Sequence, residues 1–130
     1  MEHDLINAVW DNANIHEDFY IIGAKKGDKA TLNHELAHAF YYVDFKYRVE
    51  MSEITNKFKE KQRKSYKKMC KILSKMGYNE SVLDDEIQAY FSTETKKQLI
   101  EDFDVDYDKI KPYVFKYRKV LKKSLDSYGI

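Results

Sequence analysis

Apolar positions recur along most of this chain every three or four residues, the spacing that gathers them on one face of a helix. Leu5, Ile6, Val9 and Trp10 predict a short helix over residues 3–10. Thr31 is a suitable N-cap, with Glu35 a turn later, for a helix over residues 31–43. Asp44 can cap the next segment, where Met51, Ile54, Phe58, Met69, Ile72 and Met76 predict one or two amphipathic helices across residues 45–76. Gly77 stands where a left-handed residue would stop them. Ser81 can cap a helix through Val82, Leu83, Ile87 and Phe91, and Pro112 suits the first turn of a last helix carrying Val114, Phe115, Val120, Leu121 and Leu125. One stretch has a different pattern. Phe19, Tyr20, Ile21 and Ile22 form an aromatic and β-branched run closed by Gly23, which predicts a strand. It belongs at a sheet edge or in a hairpin, since little else could pair with it. The expected fold is therefore mainly α with a small β element, α+β at most.

Composition supports that picture and narrows it. A chain of 130 residues makes one domain, taken here as residues 1–130. Four glycines and one proline leave few turn signals, which favours long helices over a many-stranded sheet. Charged residues make up 35%, no apolar run approaches the length of a membrane span, and the N-terminus lacks a signal-peptide pattern. Cys70 is the single cysteine, so no internal disulfide is possible, and the expected location is the cytoplasm without membrane association. The net charge of +1 hides an asymmetry: residues 57–71 hold eight basic residues and one acid, and residues 80–108 hold ten acids and two lysines. The basic run, with Phe58 and Tyr66 within it, could meet phosphates and bases. Apolar residues at helical spacing run through it, however, which reads as the solvated face of a helix, so nucleic acid is not the expected partner.

The chemistry lies in His34-Glu35-Leu36-Ala37-His38, an HExxH pattern. Residues i and i+4 share a helix face, so both imidazoles can reach one metal ion. Glu35, beside the first histidine, can take a proton from metal-bound water and return it to a leaving amine, while zinc acidifies that water and polarises the substrate carbonyl. Random order of these residues would give the pattern with a probability of about one in a hundred. The competing reading is two ordinary helix histidines and a surface glutamate. Against it, the neighbours Leu36, Ala37, Ala39 and Phe40 are apolar, so the motif is expected in a largely buried helix where such groups need partners.

A catalytic zinc needs a third protein ligand and an open position. Asp44 falls at the spacing used in the longer HExxHxxGxxH/D pattern, but Tyr41 occupies the place of the turning glycine. Glu86, forty-eight residues after His38 and followed by Ala89 and Phe91, is the other candidate. Asp84 and Asp85 beside it are expected to point elsewhere on the helix. HELAH together with the ExxA pattern of residues 86–89 resembles the gluzincins, zinc metallopeptidases whose third ligand is a glutamate on a later helix. The order of elements is similar to that of the minigluzincins and of the catalytic domain of anthrax lethal factor. The resemblance implies a minimal zincin-like helical domain that binds one Zn2+ per chain through His34, His38 and Glu86, with Glu35 as general base. It implies too that Tyr78, shortly before the third ligand, stabilises the oxyanion. Tyr90, where many gluzincins carry an acid, would orient a zinc-bound histidine. The implied activity is peptide-bond hydrolysis on a polypeptide held in extended form against Phe19, Tyr20, Ile21 and Ile22. The alternative is a zinc-stabilised binding or regulatory module with weak turnover or none, since fewer than thirty-five residues precede the motif. Asp102, Asp104, Asp106 and Asp108 alternate like the start of a calcium loop, but Tyr107 and Tyr113 occupy the positions that need glycine and glutamate. Cys70, between lysines at 68 and 71, reads as a core thiol rather than a nucleophile.

Overall fold

The computed structural model describes residues 29–130. The helix expected over residues 3–10 and the strand expected over Phe19–Ile22 lie outside them. Among the described residues there are six α-helices, a single 3-10 turn and no strand. The fold they form is all-α, which corrects the expectation of an α+β domain built with an edge strand or hairpin. The described core closes by helix packing alone, with no sheet edge for a strand to complete.

The helices are α1 (Lys29–Val43), α2 (Phe45–Lys61), α3 (Arg63–Lys75), α4 (Leu83–Thr93), α5 (Lys96–Phe103) and α6 (Tyr107–Ser127). Local chemistry explains most of their ends. Asp44 separates α1 from α2 and caps α2, its carboxylate accepting from the Tyr47 N–H at 3.1 Å. Residues 45–76 form two helices rather than one, because Gln62, at φ −127° and ψ 55°, leaves helical geometry between α2 and α3. Gly77, at φ +104°, ends α3: its N–H reaches Ser74 O and the Tyr78 N–H reaches Leu73 O, the paired bonds of a left-handed helix stop.

Three boundaries differ from expectation. Ser81 does not cap α4; Asn79 accepts from the Ser81 N–H at 2.9 Å and starts the 3-10 turn Glu80–Val82, which leads into α4. Pro112 is not in the first turn of α6. Asp106 captures the start of that helix by accepting from Asp108 N–H, so Pro112 sits inside, removing the N–H that would bond the Asp108 carbonyl. Helix α5 was not expected at all from its polar sequence. Thr95 and Gln98 close a reciprocal capping box at its start, which compensates for the scarcity of apolar residues.

Helix α4 lies at the centre and packs against α1, α2, α3 and α6. Its Leu83, Ile87, Ala89 and Phe91 are buried. They join Leu32, Leu36, Ala37, Ala39 and Phe40 of α1, Met51 and Phe58 of α2, and Val114 and Tyr117 of α6 in one core. Arg118 of α6 ties down the far end of α4. Its side chain donates to the carbonyls of Phe91 (3.3 Å) and Glu94, which the end of a helix leaves unbonded.

Candidate metal centre

The side of α1 that meets α4 carries His34 and His38, one turn apart, and their Nε2 atoms lie 3.2 Å from each other. Glu86 enters from the first turn of α4, with Oε2 3.4 Å from His38 Nε2 and Oε1 4.0 Å from His34 Nε2. All three side chains are mostly buried: His34 is 20% exposed, His38 12% and Glu86 10%. His34, His38 and Glu86 thus form a buried group that can hold a metal ion.

The partners on the outer sides of the rings fix which nitrogen is bare. His38 Nδ1 lies 2.9 Å from Asp85 Oδ1, so it carries a proton and donates it to the carboxylate. Thr93 gives its only hydroxyl proton to Ala89 O at 2.6 Å, so across the 3.1 Å contact with His34 Nδ1 it must accept. In their neutral forms both imidazoles therefore turn a bare Nε2 lone pair toward Glu86, the tautomer a metal requires. Glu86 Oε1 is buried and has no hydrogen-bond partner. Two facing lone pairs and an orphaned carboxylate oxygen demand positive charge between them. Ligand atoms 2.0–2.1 Å from a tetrahedral zinc lie about 3.3 Å apart, close to the two separations made by His38 Nε2, while the 4.0 Å between His34 and Glu86 is wider.

Proton affinity follows the same demand. Burial, with the charge of His38, pushes His34 below its ordinary 6.5, outweighing Glu86 and Asp85. Burial acts downward on His38 too, but its hydrogen bonds to Asp85 and Glu86 and their charges prevail and push it up to about 10. Without a metal, His38 takes the proton that supplies the positive charge.

Glu35 follows His34 on α1, is half-buried and lies outside the ligand triad. Asp44 is not one of the three either: it is occupied as the α2 cap and accepts from the Tyr128 hydroxyl at 3.3 Å. Tyr90 does not hold a histidine N–H. Its ring packs edge-on against His34, centroids 4.9 Å apart, and its hydroxyl lies 3.3 Å from that of Tyr78. Tyr78 is thereby one ring removed from His34. Asp85 and Thr93 take the orienting positions, which the sequence reading missed. Asp85, expected to point away, is reached because an imidazole has nitrogens on opposite sides: Nε2 of His38 meets Glu86 while Nδ1 meets Asp85. Thr93 carries a signal in its spacing, since positions four and seven after Glu86 share its helix face. The substrate-holding run Phe19–Ile22 lies outside the described residues. A cleft of about 250 Å³ opens beside His34, lined by Thr31, Tyr90, Thr93, Glu94 and Gln98. Burial, reinforced by Asp102, pushes the Glu94 carboxyl there up to about 7.

No helix among the described residues is long and apolar enough to cross a membrane. Compared with protein-family models, with curated protein sequences and with solved structures, the chain matches none.

Proposed function

We propose that this chain is a zinc-dependent peptidase of gluzincin type, with His34, His38 and Glu86 as the ligands and a polypeptide as the substrate. The observation that carries the reading is the convergence of the two imidazole Nε2 atoms on the unpartnered Glu86 Oε1, with Glu35 next to His34 on α1 in the HExxH order. Zinc in such a set supplies a Lewis acid that polarises a carbonyl and acidifies water. Glu35 takes the proton of the attacking water and passes it to the amine that leaves. Asp85 and Thr93 hold the two imidazoles in the ligating tautomer. The cleft beside His34 gives the substrate a place next to the ligands.

The test is the Glu35→Gln variant. Zinc content should remain at one per chain, because this carboxylate lies outside the triad, and cleavage of a peptide library should disappear. Retained cleavage in the variant excludes the HExxH mechanism. One observation favours a second reading, a zinc clamp without turnover. The three ligands are mostly buried and join α1 to α4, the helix at the centre of the core. A wild type that is stabilised by zinc and cleaves no member of the library supports the clamp.

A further inference from the structure

We propose that Gln88 is a positioning residue for the metal centre, acting on His38 through Asp85 in a buried relay that begins at Tyr47 on α2. This rests on the reading of His34, His38 and Glu86 as metal ligands. Gln88 is wholly buried in α4 and Tyr47 is 2% exposed, so neither amide nor phenol can turn to water for a partner.

Every polar atom of the Gln88 side chain is used. Its Nε2 donates to Asp85 Oδ1 at 2.9 Å and to Ala37 O at 3.1 Å, and its Oε1 accepts from the Tyr47 hydroxyl at 2.8 Å. An amide can be flipped end for end, but here only one orientation works. Two acceptors, a carboxylate and a carbonyl, call for the NH2 end, and the Tyr47 O–H supplies a donor to the oxygen end. The same Asp85 Oδ1 accepts from His38 Nδ1 at 2.9 Å. Asp85 is partly exposed, with 22% of its side chain accessible, and on its own could swing toward solvent. The Gln88 amide gives it a second, buried donor and holds Oδ1 over the imidazole. The bond to Ala37 O anchors that amide to α1, next to His38, so the distance between the two helices and the aim of the ring are set together.

The chain of contacts is Tyr47 to Gln88 to Asp85 to His38, from a helix that supplies no ligand into one that does. Partners behind a metal ligand typically change affinity by about tenfold to a hundredfold when removed. Gln88→Met keeps length and volume while deleting the amide. Tyr47→Phe deletes one hydroxyl and leaves the ring.

The experiment compares full-length wild type, Gln88→Met, Tyr47→Phe and a packing control, Leu121→Ala, in α6. Zinc affinity is measured by competition with a chromophoric chelator. The visible absorption of the cobalt-loaded proteins reports ligand geometry. The expected result is zinc binding weakened about tenfold in Gln88→Met and by a smaller factor in Tyr47→Phe, with an altered cobalt spectrum in both. Leu121→Ala should melt at lower temperature with wild-type zinc affinity and spectrum, which a purely structural effect of Gln88 would also give. Gln88→Glu should fare worse than Gln88→Met, because it sets a second acceptor against Asp85. Wild-type affinity and spectrum in both Gln88→Met and Tyr47→Phe overturn the relay. Should Gln88→Met not fold, Tyr47→Phe alone decides by the same criterion. A wild type that takes up neither zinc nor cobalt overturns the metal reading beneath it, a different failure from that of the relay.

Discussion

Helix α4 has two faces built by opposite rules. Toward α2 and α6 it turns Phe91, whose ring meets Phe58 at 5.3 Å and Tyr117 at 5.4 Å between centroids. The polar atoms of Thr55 and Tyr117 in that region satisfy each other: Thr55 donates to Met51 O, so Tyr117 donates to Thr55 across 2.6 Å. Toward α1 the same helix turns Asp85, Glu86, Gln88 and Thr93, and there the hydrogen bonds do not close. Glu86 Oε1 has no partner, and in their neutral forms the two imidazoles would add a pair of facing Nε2 lone pairs. A folded protein rarely leaves such groups unmatched, so the imbalance marks a place that can hold a positive ion. The comparison separates stability, which the aromatic face should govern, from ligand binding, which the polar face should govern.

The largest effect on zinc binding should come from removing a ligand. Glu86→Ala should weaken zinc binding by on the order of a hundredfold or more, beyond what loss of an outer partner costs. Asp44→Ala should lose only a helix cap, about 1 kcal/mol of stability, with zinc retained. Zinc lost in the second variant and kept in the first would break the assignment of the third ligand.

On the aromatic face, Phe58→Ala should destabilise the protein by about 3–5 kcal/mol in denaturant titrations. Zinc affinity of the molecules that remain folded should be unchanged. Coupling between the two quantities would show that the faces are not independent.

Acidity offers a third way to divide them. A folded-state pKa of about 10 for His38, above its ordinary 6.5, contributes stability that is fully present below 6.5 and lost as pH rises through 10. His34, lowered instead, costs stability as pH falls below 6.5, so the clean window lies above neutrality. Between pH 7 and pH 9.5 the melting temperature of the chelator-treated protein should fall. The zinc-loaded protein should not show that decline, because the metal replaces the proton. Parallel melting curves for the two forms would refute the exchange of proton for metal.

The smallest effect belongs to Tyr117→Phe. The Thr55 hydroxyl keeps its bond to Met51 O, so the loss should be about 1 kcal/mol in thermal unfolding, with no change in zinc affinity.

How much of this was legible in the chain itself follows the range of each interaction. The pairing of His34 with His38 is set by helix pitch, and the Asp44 cap and the Gly77 stop each involve only a few neighbouring residues. The pairing of Glu86 with those histidines rested on resemblance, and the structure brings the three side chains together. Thr95 and Gln98 did carry the start of α5 as a capping box, a signal that its polar composition concealed. Asp85 was misjudged because the face rule treats the partner as a point, while an imidazole accepts contacts on two sides about 100° apart around α4. Tyr90 lost its expected role for a similar reason: Thr93, three residues on, reaches His34 Nδ1 first, leaving Tyr90 to pack its ring. Residue spacing does not report such competition between neighbours on one face.

Arg118 gives α4 a fixed axial position. A slide of one residue along that axis would carry Glu86, Asp85 and Thr93 together by about 1.5 Å, far more than metal–ligand distances tolerate. The guanidinium grips the carbonyls at the end of α4 opposite Glu86 and opposes that slide. The last helix supplies no ligand, yet it works as the detent that keeps the bearing of α4 in register. Substitutions within the triad would leave this mechanical setting untouched, whereas loosening Arg118 would shift Glu86, Asp85 and Thr93 at once.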